Sequence, residues 1–166
     1  MANNLTNLSE IIKQMKFSWE NGRCNIPDGA VYAPTFLFGY PQDVDDEHLK
    51  FLPLMNVNVP NSSSVIDEYE ANVVNNNTIF KCQIYQYTPS EYKVDDDVLK
   101  SDHWDKMETC FYSWLMNVMN NLGSKVVLGN GAVQISRRTQ SSNDQLLQIE
   151  VTFNFTYFRY CGTLEQ

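Results

Sequence analysis

The groups able to do chemistry are few in this sequence. The two histidines are His48, in the acidic run from Asp43 to Glu47, and His103, inside a long amphipathic stretch. His48, Asp45 and Asp46 are donor types that bind zinc, but their spacing enforces no coordination geometry. Asp43-x-Asp45-Asp46 has the opening of a calcium loop. The sixth position is His48 where glycine is needed, and the twelfth is Leu54 where glutamate is needed, so that reading fails. Gly129-Asn130-Gly131 lacks the third glycine and the following helix of a nucleotide fingerprint, and reads as a hairpin turn. No G-x-S-x-G motif occurs, and no cysteine sits in a nucleophile signature. Trp104 and Trp114 read as core residues of one helix. The expectation is a chain with no catalytic residue, no metal site and no cofactor.

Composition narrows the partners. The 166 residues fit a single domain spanning 1–166 with a full core. A net charge of −8 and the absence of a basic stripe argue against binding nucleic acid through its phosphates. Only 19% of the residues are charged, and neutral polar runs such as Ser62-Ser63-Ser64 and Asn75-Asn76-Asn77 take their place. Neutral polar groups cost less to desolvate than charges, which suits a surface covered by neighbours; a genomic bias towards Asn codons would give the same composition. The four cysteines, Cys24, Cys82, Cys110 and Cys161, form no C-x-x-C pair. They read first as free buried thiols, with a disulfide or zinc as the alternatives. The N-terminus has no signal-peptide layout and no apolar run is long enough to span a membrane, so the expected location is a reducing cytoplasm or a particle assembled there.

The elements that must position these residues follow from periodicity. Leu8 to Glu20 reads as a helix with Leu8, Ile11, Ile12, Met15 and Trp19 on one stripe. Asn7 and Glu10 supply a capping box, and Asn21-Gly22 a left-handed stop. Thr35–Tyr40 and Leu54–Val59 read as short strands around an acidic loop, Pro41–Lys50. The segment Asn61 to Val74 is ambiguous and becomes strand-like near Tyr69. Thr78–Tyr87 is a strand, preceded by an Asn-rich turn. Asp102–Leu122 reads as the main helix, with Asp95, Asp96 and Asp97 before it and Gly123 closing it. Ala132–Arg138 is a strand, joined by the polar loop Thr139–Gln145 to the long strand Leu146–Tyr160. There Leu147, Ile149, Val151, Phe153, Phe155 and Tyr157 share one face. The expected fold class is α+β: an antiparallel or mixed sheet of four to five strands, covered on one face by the long helix and the N-terminal helix.

The order and character of these elements resemble the tail terminator proteins of long-tailed bacteriophages. The resemblance lies in FLPLMNVNV, TIFKCQIYQYTPS, the helix WDKMETCFYSWLMNVMNNL and the closing hairpin VQISRRTQSSNDQLLQIEVTFNFTYFRY, with LSEIIKQMKFSW as the N-terminal helix. It covers most of the chain. The acidic loop and the segment Asn61–Val74 are longer than that pattern expects. The resemblance implies a structural virion protein at the neck: a homo-oligomeric ring of six or twelve, joining the head connector or portal to tail proteins. DNA would pass through its lumen without specific binding, with no membrane involved. Under that reading the candidate subunit or lumen contacts are Asp43, Asp45, Asp46, Glu47, Arg137, Arg138 and Asp144. The rival reading is a small cytoplasmic ligand-binding or enzymatic α+β domain, with Tyr85, Thr152 and Asn154 lining a pocket on the polar face of the sheet.

Overall fold

The computed structural model describes residues 5–24, 32–66, 72–87, 97–129, 133–139 and 146–160. In chain order these form helix α1 (Leu8–Glu20), strands β1 (Thr35–Gly39), β2 (Leu54–Asn58), β3 (Asn61–Ile66) and β4 (Val73–Tyr87), helix α2 (Asp97–Leu122), and strands β5 (Val126–Leu128), β6 (Gln134–Thr139) and β7 (Leu146–Tyr160).

The spine is an antiparallel ribbon of β4 and β7, each 15 residues long and paired from Val73 opposite Tyr160 to Tyr87 opposite Leu146. At about 3.3 Å per residue the ribbon is about 50 Å long. β2 and then β3 run along the outer flank of β4, while β5 and β6 share the outer flank of β7. β1 lies outside β2, parallel to it. The sheet is mixed and seven-stranded, and the fold is α+β.

Two strands exceed the expected four to five. β3, with sequence NSSSVI, shows no apolar alternation because all six of its residues are exposed. β5 is three residues long, too short for periodicity to register. The Asn75-Asn76-Asn77 run is not a turn but the interior of β4, bonded between β3 and β7. Pairing on both sides overrides the weak strand preference of asparagine.

Both helices cover one face of the sheet. Alternation along β7 places Leu147, Ile149, Val151, Phe153, Phe155 and Tyr157 beneath them, all buried. α1 contributes Ile11, Met15 and Trp19 to this core, and α2 contributes Met107, Phe111, Trp114, Leu115, Val118 and Leu122. Phe153 is the hub, with ring centroids 5.6 Å from Phe80, 5.8 Å from Phe111 and 6.1 Å from Trp114. Burying each large apolar side chain contributes about 1.5–3 kcal/mol before conformational entropy is subtracted.

The helix ends differ in part from expectation. Asn7 caps α1, its Oδ1 accepting the Glu10 N–H at 2.9 Å. The Glu10 carboxylate turns instead to the Thr6 hydroxyl at 2.8 Å and to Lys125 Nζ at 2.9 Å. Asn21 stays right-handed at φ −103°, and its side chain donates to the Phe17 carbonyl. Gly22 serves close approach rather than a left-handed turn, since a Cβ there would lie 2.8 Å from the Ser18 carbonyl oxygen. Gly123, at φ +60°, does close α2 in the left-handed region. α2 begins at Asp97, so Asp97 and Asp102 belong to the helix itself, and Asp102 pairs with Lys106 one turn on.

Cys24 and Cys110, 86 residues apart in the chain, are joined as a disulfide with Cα atoms 5.5 Å apart. The segment leaving α1 runs beside α2 there, a proximity that sequence spacing cannot reveal. Cys82 is a free buried thiol, and Cys161 lies outside the described residues. Among the described residues no helix is long and apolar enough to cross a membrane.

Candidate functional site

The candidate site is the sheet face turned away from the helices, together with its borders. β2, β4 and β7 alternate apolar and polar residues, so packing one face against α1 and α2 leaves the other with its polar set. Register aligns that set into a cross-strand row: Leu37 of β1, Asn56 of β2, Gln83 of β4, Glu150 of β7 and Ser136 of β6.

The row is hydrogen-bonded across the strands. Asn56 is fully buried, and its two amide N–H groups are shared among Gln83 Oε1 at 3.1 Å, Asn58 Oδ1 at 3.3 Å and the Tyr40 carbonyl at 3.2 Å. Gln83 Nε2 donates to Glu150 Oε2 at 3.3 Å. Glu150 Oε1 lies 3.4 Å from Lys81 Nζ and 3.8 Å from Arg138 Nη2, so one carboxylate gathers two cations and an amide.

Residues 41–53 fold over one end of this face. Val44, Leu49 and Leu52 from that segment pack with Leu37, Leu54, Tyr85 and Leu146 into a small second core. Burial, together with the nearby Glu150 carboxylate, pushes the Tyr85 hydroxyl above its ordinary pKa. Beside this cover lies an open hollow of about 390 Å³, lined by Tyr40, Pro41, Asn58, Val59, Lys81 and Thr152 among others. Of the three residues expected to form a ligand pocket, only Thr152 lines it. Tyr85 is sealed beneath the loop, and Asn154 donates to Asn77 Oδ1 at 2.9 Å. Converging reactive groups are absent from this hollow among the described residues, and no cluster there matches a metal site.

The predicted contact residues fall into two groups, one on the loop over the open face and one on β6. Asp43, Asp45, Asp46 and Glu47 follow β1 in the chain, on the loop that folds over the face. Asp43 Oδ2 accepts the Tyr40 N–H at 2.7 Å, and Asp45 Oδ1 accepts the His48 N–H at 3.0 Å, so these two shape the loop. Glu47 pairs with Lys50 at 2.8 Å in solvent, and Asp46 has no partner among the described residues. Arg137 and Arg138 lie on β6, at a border of the sheet, pointing to opposite faces. Arg137 pairs with Glu108 of α2 on the helix side, and Arg138 reaches Glu150 on the open side. The acidic and basic groups do not meet within one molecule. Asp144 lies outside the described residues.

Sequence reasoning missed Asn56, Gln83 and Glu150 as a unit. Each was visible as a polar position in an alternating strand, but only the register lines them up. Past Lys81 the open face carries no charge among the described residues: Asn61, Ser63, Asn77, Ile79, Thr156 and Phe158 make up most of it. Compared with known proteins, the chain matches no family model and no curated sequence.

Proposed function

We propose that this chain is a structural protein of a bacteriophage virion, a tail-terminator-like subunit of the neck, without catalysis of its own. In this reading copies form a ring of six or twelve that joins the portal or connector to the tail and lets DNA pass. The observation that carries it is the sheet's unpartnered outline. Helices cover one side of a broad sheet, and among the described residues no strand lies beyond β1, β3 or β6. Strand borders left open are templates for pairing, and head-to-tail association closes into a ring when the rotation allows. The neutral open face supports the same reading, because Asn, Ser and Thr are cheap to desolvate in a broad contact. The net charge of −8 fits a lumen that DNA traverses without adhering.

The test is electron microscopy of the full chain, alone and mixed with the portal and tail-tube proteins of the same phage. Rings with a central hole, seated between head and tail, are expected. A chain that stays monomeric in both preparations sinks the proposal.

A further inference from the structure

The borders of the sheet at β1 and β6 have matching properties. Thr35 N–H donates to the Pro53 carbonyl at 3.0 Å, and the Gly39 carbonyl accepts from Val59 N–H at 3.1 Å. In a parallel pair alternate residues bond to the neighbour, so the backbone groups of Phe36 and Phe38 point outward from the sheet. On the far side, β6 uses β7 as its one strand neighbour among the described residues. β1 has five residues and β6 has six, and the row Leu37–Asn56–Gln83–Glu150–Ser136 puts their middles at the same height. Four inter-strand steps of about 4.8 Å separate them by about 19 Å.

Direction also fits. β1 is parallel to β2, and the sense then reverses at β4, at β7 and at β6, so β6 runs opposite to β1. A rotation about an axis along the strands preserves these directions. It would bring β6 of one copy beside β1 of the next in antiparallel pairing.

The side chains are complementary as well. The loop that follows β1 carries the exposed Asp46 and Glu47, and on β6 stands Arg138, 60% exposed and on the face that this loop covers. On the helix side the half-exposed Phe38 is level with Ile135 of β6, through the row Phe38–Val57–Cys82–Val151–Ile135. Joining opposite borders sets Phe38 of one copy level with Ile135 of the next and brings the acidic loop of one towards Arg138 of the other.

From this we infer that the occupant of the β1 border is β6 of a second copy of this chain, joined head to tail, with the loop carboxylates against Arg138. The inference rests on the assembling role proposed above and names the surfaces that perform it. Internal ion pairs and solvation also use these charges, and the experiment separates the two roles.

The full chain is compared by sedimentation velocity with Arg138→Glu, with the double variant Asp46→Lys/Glu47→Lys, and with Phe38→Pro, circular dichroism confirming that each is folded. Asp43 and Asp45 are spared because they shape the loop. The wild type is expected to sediment as an oligomer larger than a dimer. Each charge variant alone should weaken assembly by about tenfold or more. An equimolar mixture of the two should reassemble, since each then supplies the border the other has lost. Phe38→Pro removes an outward N–H while leaving the bonds to β2, so it should dissociate the oligomer. A wild-type oligomer untouched by the charge variants, or folded variants that fail to complement, overturns this edge pairing while the ring reading stands. An oligomer that survives Phe38→Pro overturns it too. A wild type that is monomeric up to its solubility limit overturns both.

Discussion

The indole Nε1 of Trp114 donates to the backbone carbonyl of Met15 across the helix pair, at 2.9 Å in a fully packed interior. This bond fixes the register of α2 against α1, and the same ring packs edge-on to Phe153 of the sheet. One side chain therefore ties both helices and the ribbon together. Trp114→Ala should cost about 3–5 kcal/mol, from lost burial and the cavity left behind. Trp114→Phe keeps most of the volume and removes the donor, and should cost less. Denaturant titrations of both variants check the order, and a loss below about 1 kcal/mol for the alanine variant would contradict the packing of Trp114 between α1 and the sheet.

The Asn56 amide holds the segment after β1 to the sheet. Asn56→Leu leaves the Gln83 carbonyl oxygen and the Tyr40 carbonyl without their donor, a cost of about 1–3 kcal/mol. The released segment should also exchange its amide hydrogens faster, at Asp43 to Glu47 before the ribbon. Hydrogen-exchange mass spectrometry reads both regions in one experiment.

Glu10 couples stability to pH. The Lys125 ammonium first, and then the Thr6 hydroxyl, hold its carboxyl below the ordinary value of 4.5, with partial desolvation opposing them. A depressed folded-state pKa contributes stability that is present above the unfolded value and lost as pH falls through the folded value. Glu10→Gln should therefore be less stable than the wild type at neutral pH, and the gap should close below pH 4.5 as the wild-type carboxylate protonates. A gap that is constant from neutral to acid pH would show that the charge is not what matters.

Cys82 lies at 0% exposure between β2 and β7, and burial pushes its thiol far above the ordinary range. The nucleophilic thiolate is thus disfavoured twice, by energy and by access. Alkylation followed by peptide mapping should leave Cys82 unmodified in the native protein and modified in denaturant. Fast native labelling at this position would mean that the ribbon opens readily.

The border at β3 is unprotected by charge. Val65 and Ile66 are 70% and 76% exposed on a strand with no Lys, Arg, Asp or Glu. Val65→Lys and Ile66→Lys should raise the concentration at which the chain begins to associate non-specifically, while changing folding stability by less than about 0.5 kcal/mol. Light scattering against concentration checks the first effect, and thermal unfolding the second.

How much was legible in advance varies with the range of the signal. Periodicity along one segment is local, so α1, the helical stripe from Trp104 to Leu122 and the two-faced character of β7 were all readable from residue order. With them came the α+β class and the buried identities of Trp114, Phe153 and Ile149. The acidic run after β1 and the arginine pair were also visible, because charge needs no fold to be recognised.

What only the tertiary structure decided is partnership. β3 and the Asn75–Asn77 stretch became strands because a neighbour bonds them, although their own residues favour loops. Asn56, Gln83 and Glu150 became a network because two registers coincide, and Cys24 met Cys110 because the end of the segment leaving α1 comes up to α2. The pairing of Arg138 with Glu150, and of Arg137 with Glu108, depends on strand order. Strand order depends on long-range pairing, whose free energy belongs to pairs of segments and is written in neither one alone.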